Sequence, residues 1–401
     1  MPVITEIQTI SETIGNIIDF VQTSEKTQED FEEYIKTIGA INVSPMQLQA
    51  LCIPYITERT VFSENKTIPE LYIGENKNLS EIEKEIIYGL GNSISSVFEI
   101  KKRLNNGFVL YNLVNEKTYT VIPLVKMTQL KEVCPSQFAL IRIFKFKDTY
   151  FMLEISNVIP SYEKESVMNY AVAKIIEEPE SLYSDNEEKF LEVKNYVEKS
   201  IKDFKDFFDS DEVITTNKKI DNLLELFDKY QKTNDKELKS GISSLIEIPE
   251  TLKYEEITEF SNSYNTFLQK SMNGFSSHNE IYDVGYILDE KLGIYIIPFW
   301  ATLCKIFSSE NYQKIENYKE CVETFIKNDK IPPSFIEKLY KKAGSKEQFE
   351  KRLKEITEDE LSIDDYIKKY KNDYLKKTIF SCSNVLYCSK TFAEITEKQT
   401  I

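Results

Sequence analysis

Apolar residues recur along most of this chain every three or four positions, the spacing of an amphipathic helix, and turn to alternation in two short regions. In residues 4–38, Ile7, Ile10, Ile14, Ile17, Ile18 and Val21 fall on one helical face. A second helix is expected from Thr27 as N-cap, with Glu29 and Asp30 in its first turn and a stop at Gly39. Pro45, Pro54 and Pro69 are expected to break regular structure across 44–75. Ser80 then caps a helix, and Glu83 at its third position completes a capping box.

The first alternating region follows. Residues 95–104, 108–114, 118–122, 138–146 and 149–155 each read as a strand, joined in part by the turns "NNG", "NEK" and "KD". Five short strands so close together predict a small antiparallel barrel over about residues 95–156, because closure removes exposed edges. Helical spacing resumes at Ser161 and ends at Pro179. Residues 185–240 carry charged helices with one apolar stripe, such as Phe190, Val193, Val197, Ile201 and Phe204. "DSDEVITT" at 209–216 offers a joint within them. Residues 283–299 read as a second hairpin feeding a helix that contains Trp300. Pro332 and Pro333 open a later helix and Gly344 closes it.

The expected fold is therefore α+β and predominantly helical, with a small barrel embedded among helices and a second short hairpin. Its length of 401 residues exceeds what one core usually serves, so two regions are expected, 1–180 and 181–401. With 24 Tyr and 24 Phe there is ample material to bury, and 11 Gly and 12 Pro are too few for a chain of many tight turns.

Charge and chemistry narrow the functions. A net charge of −16 repels polyanions, so nucleic acid or anionic lipid needs a local basic patch. No apolar run reaches membrane-spanning length, and "MPVITEIQTI" lacks the basic start of an export signal, so a cytoplasmic protein with no membrane partner is expected. The six cysteines then read as reduced, buried thiols. His278 is the single histidine and sits in a polar loop sequence, which leaves most zinc sites and nucleophile–histidine pairs without a partner. Cys382 and Cys388 are too widely spaced for a zinc pair, and "GLGNS" is no phosphate cradle. "DSDEVITTNKKI" lacks the Gly and Glu of a calcium loop. No catalytic residue, metal or cofactor is expected.

Two basic stretches remain. In 367–377, Tyr366, Tyr370 and Tyr374 recur at helical spacing and read as packing. In the β block, "KKR" at 101–103 stands with Arg142, Lys145 and Lys147, and with Phe108, Tyr111, Phe144 and Phe146, which either stack bases or fill the barrel. Filling is the expectation, since a barrel needs such residues inside.

The run "SEIEKEIIYGLGNSISSVFEI", "GFVLYNLVNEKTYTVI", "FALIRIFKFKDTYFMLEI" and "IPSYEKESVMNYAVAKII", within residues 55–180, resembles the segment preceding the zinc-binding SEC-C motif of bacterial proteins. The zinc motif is missing here, since "CSNVLYC" lacks its spacing and its second pair. The resemblance implies a cytosolic bacterial type of protein, and neither zinc nor the motif's docking role carries over.

The expected function is that of a non-catalytic protein-binding or adaptor protein. Its two expected surfaces are the barrel face at Lys101, Lys102, Arg103 and Tyr111, and the apolar hairpin at Tyr286, Tyr295, Phe299 and Trp300. Single-stranded nucleic-acid binding through the barrel is the alternative, and a carboxylate-dependent hydrolase is a further one.

Overall fold

The computed structural model describes residues 2–38, 45–61, 66–246, 282–315 and 317–399. The chain divides into two compact units, Met1–Ala171 and Val172–Ile401, ahead of the expected 180/181. Among the described residues no helix is long and apolar enough to cross a membrane.

In the first unit, α1 (Pro2–Thr23), α2 (Glu25–Thr37), α3 (Pro45–Glu58), α4 (Ile68–Glu75) and α5 (Glu81–Gly91) precede the barrel. The expected stripe of α1 is inward: Ile10, Ile14, Ile17, Ile18 and Val21 are buried. Ser24, not Thr27, caps α2. The Thr27 hydroxyl instead donates to the Val21 carbonyl at 3.0 Å, inside the core. The prolines break less than expected. Pro69 sits in the first turn of α4, where its missing N–H costs nothing, and α3 runs through Pro54. The Ser80–Glu83 capping box of α5 is present. The expected stop at Gly39 lies outside the described residues.

A two-residue ladder, β1 (Thr60–Val61) with β2 (Lys66–Thr67), precedes α4. The barrel itself comprises β3 (Ile94–Arg103), β4 (Phe108–Asn112), β5 (Thr118–Pro123), β6 (Phe138–Phe146) and β7 (Thr149–Ile159). It is closed in the order β3-β4-β5-β7-β6, with β6 returning to β3. The expected all-antiparallel pairing needs correction: β5 and β7 run parallel, Val121 opposite Tyr150. The cause is the connection over 124–137, which carries a short 3-10 turn, Met127–Leu130. It is too long for a hairpin, so β6 crosses to pair with β3 and β7 returns beside β5 in the same direction.

Period-two alternation gives the barrel two apolar surfaces. Phe98, Ile100, Phe108, Leu110, Tyr119, Val121, Ile141, Ile143 and Met152 fill the interior. Phe144, Phe146 and Phe151 point outward and pack with the core of the N-terminal helices. Gly89 permits this contact, since a Cβ there would lie 2.4 Å from the Lys145 carbonyl oxygen. The helices thus cover the β6–β7 side. On β3, β4 and β5, side chains such as Lys101, Lys102, Thr118 and Thr120 stay exposed.

In the second unit, β8 (Glu212–Thr216), β9 (Asp283–Asp289) and β10 (Gly293–Pro298) form an antiparallel sheet in the order β10-β9-β8. Residues 212–216 of the expected joint are therefore a sheet strand. Val284, Tyr286, Leu288, Ile294 and Ile296 face α6 (Glu187–Phe208) and α7 (Ile220–Thr233), among Phe204, Phe207 and Phe227. Trp300 packs on the opposite face at Gly285, where an added Cβ would stand 2.6 Å from the Trp300 Cβ and 2.8 Å from its Cγ. Gly285→Ala is expected to cost about 2 kcal/mol by overpacking, read as a lower urea midpoint; an unchanged midpoint would show that Trp300 can shift freely.

Candidate nucleic-acid interface

The exposed barrel face is built by a register fault. Ile100 points inward, so Lys101 faces out and strict alternation would send Lys102 in. The β3–β4 ladder instead pairs Ile100 with Leu110 and Lys102 with Val109, leaving Lys101 as an extra, bulged residue. The phase resets, and both lysines are exposed. Tyr111, half-buried on β4, lies opposite Glu99 on β3 and Thr118 on β5. The Lys101 ammonium stands 5.4 Å from the Tyr111 ring centroid and 2.8 Å from a Glu99 carboxylate oxygen. Lys101, Lys102 and Tyr111 are thus gathered on one patch.

Arg103 is not part of that patch. Its guanidinium donates to the carbonyls of Leu130, Val133 (3.0 Å) and Met127 (2.9 Å), and lies 5.4 Å from the Phe108 ring centroid. Three carbonyls of the turn after β5 take up its donor fork, so it closes one end of the barrel. Arg142 is internal as well. It is buried, with Nη1 2.7 Å from Glu58 and Nε 3.6 Å from Glu154. Phe108, Phe144 and Phe146 are buried, which leaves Tyr111 as the outward ring of that group.

Even so, the barrel stands apart electrostatically. Residues 94–159 hold nine lysines and arginines against five acids, a net +4 within a chain of −16. Lys101, Lys102, Lys126, Lys131, Lys145 and Lys147 are exposed. A locally basic surface on an acidic chain attracts polyanions at short range, where the Debye length limits the opposing field.

The apolar hairpin needs correction as a binding surface. Tyr286, Tyr295, Phe299 and Trp300 are all buried. Tyr286 packs on Phe204 at 5.2 Å, Tyr295 on Phe335 at 5.1 Å, and Phe299 on Tyr282 at 4.8 Å. The Trp300 indole N–H donates to Glu212 at 3.3 Å. Helical layers cover both faces of this sheet, so residues of either parity are interior.

Other chemistry in the second unit is tied up structurally. Glu180, Asp329 and Asp373 line a small cleft with Tyr374 and Cys382, of about 30 Å³, the room of about one water. Lys377 pairs with Glu180 and lies 3.7 Å from Asp373, while Lys330 lies 3.6 Å from Asp329. A glycoside does not fit there. Cys382 and Cys388 are buried, at either end of a short helix, Cys382–Tyr387, and burial pushes the Cys382 thiol up to about 12. Of the tyrosine stripe, Tyr366 is buried and the Tyr374 hydroxyl donates to the Lys330 carbonyl at 2.9 Å. His278 lies outside the described residues.

Lys371 is the most deeply buried cation among the described residues of this unit. Its ammonium donates to the Phe325 carbonyl in the last turn of the helix Tyr318–Lys327 and to the Asn328 carbonyl just past it, and burial pulls it down to about 7, with Asp329 opposing. Between that value and the ordinary 10.5 the unfolded chain holds a proton the folded one lacks. Stability relative to Lys371→Met is therefore expected to rise from pH 7 to pH 10 in paired urea titrations. A flat difference would place Lys371 at its ordinary value.

The barrel is thus a closed five-stranded one in which four neighbouring pairs are antiparallel and one, β5–β7, is parallel. Its β4 and β5 carry half-buried Tyr111 and exposed Thr118 and Thr120. The chain matches no family model, no curated protein and no solved structure.

Proposed function

We propose that this protein acts by holding another macromolecule rather than by catalysis, and that its barrel binds single-stranded nucleic acid across the outer face of β3, β4 and β5. The observation that carries this reading is the gathering of exposed Lys101 and Lys102 with Tyr111 on one outward patch of a closed five-stranded barrel, an architecture that in other proteins takes oligonucleotides on the face of its second and third strands. Two ammonium groups suit successive phosphates, and an outward tyrosine offers a stacking plane for a base. An adaptor surface on the hairpin loses its support, because its four anchor residues are interior.

Fluorescence anisotropy with labelled 12-nucleotide oligo-U and oligo-dT tests the proposal. Binding is expected at 50 mM salt and is expected to weaken steeply by 200 mM, since most of the affinity comes from counterion release. Flat titrations with both oligonucleotides at 50 mM salt refute it.

A further inference from the structure

Glu99 lies directly across the β3–β4 ladder from Tyr111. Its carboxylate accepts from Lys101 Nζ at 2.8 Å, and that ammonium lies 5.4 Å from the centre of the Tyr111 ring. The three side chains close on one another. The carboxylate occupies the cation that a phosphate needs, and the cation covers the ring that a base needs. With its side chain 22% exposed against 47% for Lys101, Glu99 is the more enclosed partner, and the strand backbone fixes where its charge sits.

We infer that Glu99 is a built-in phosphate mimic that sets the affinity of this face: a ligand must displace its carboxylate from Lys101 before phosphate and base can seat. The inference rests on the nucleic-acid reading of the face and deepens it. It makes the preferred ligand a chain of closely spaced negative charges, because a neutral saccharide has nothing with which to displace a carboxylate. It also gives the acid on this basic patch a role. An exposed ion pair is weak, so the latch restrains binding without preventing it.

Glu99→Gln keeps the size of the side chain and one acceptor oxygen, and removes the charge. It is expected to bind oligo-U two- to fivefold more tightly than the parent at 50 mM salt, roughly the worth of a partly exposed pair. Glu99→Asp, which keeps the charge, is expected to show no comparable gain. The decisive comparison is a double-mutant cycle with Lys101→Gln. If Glu99 acts through Lys101, the gain disappears in the Lys101→Gln background. A gain of equal size in both backgrounds overturns the latch and leaves only general charge repulsion. A parent that binds while Glu99→Gln binds equally or less tightly overturns it too, and spares the nucleic-acid reading. If neither protein binds at 50 mM salt, both fall together.

Discussion

Neutralising Lys101 and Lys102 together, as Lys101→Gln/Lys102→Gln, is expected to weaken single-strand binding by roughly fiftyfold at 50 mM salt. The estimate follows from counterion release: each phosphate contact on a single strand contributes about 0.7 to the log–log salt slope, so two contacts account for about 1.4. Between 50 mM and 1 M salt that slope amounts to roughly one and a half to two decades of affinity. The variant should therefore show both the loss and the shallower slope in anisotropy titrations. Both lysines are exposed, so the fold should be intact, and an unaltered thermal midpoint checks this. Affinity lost with no change of slope would mean that the lysines do not meet phosphates. Affinity unchanged would move the site off this face.

The second large effect concerns how the first unit is held together. Arg142 projects from β6, buried, between Glu58 at the end of α3 and Glu154 on β7. The two directions of mutation are not equivalent. Removing the arginine leaves Glu58, whose side chain is 56% exposed, free to take up water. Removing the acids strands a guanidinium in a buried position. Glu58→Gln/Glu154→Gln is therefore expected to destabilise by about 3 kcal/mol, and Arg142→Met, which keeps the packing of the stem, by only about 1 kcal/mol. Urea denaturation followed by circular dichroism measures both. Equal losses, or a larger loss from Arg142→Met, would show that packing around the stem outweighs desolvation of the charge.

How legible this molecule is from its residues depends on the range of the interactions involved. All five barrel strands are readable, because alternation such as "FVLYNLV" is a local property. The parallel β5–β7 pair is not, since it follows from where the 124–137 connection delivers β6. Lys101 and Lys102 are identifiable as a basic pair, yet their common outward direction depends on a bulge that alternation does not predict. Arg103 looks equivalent to them in sequence, and only its reach to three carbonyls of a turn distant in the chain removes it from the face. The hairpin did carry a usable signal. "YILDEKLGIYIIPFW" is apolar at both parities, the pattern of a strand pair covered on both sides, and Tyr295 and Trp300 are interior for that reason.

One edge of the second unit's sheet is sealed by the segment 381–384, through two side chains and one backbone amide. Along β10 the Ile294 amide donates to Asn384 Oδ1 at 2.9 Å, the Ile294 carbonyl accepts from the Ser383 hydroxyl at 2.9 Å, and the Leu292 carbonyl just before it accepts from the Ser381 amide at 2.8 Å. Those are the groups with which a foreign strand would zip on. A short helical segment has thus taken the berth that a neighbouring molecule would want, and growth of the sheet from chain to chain along this border requires evicting it first.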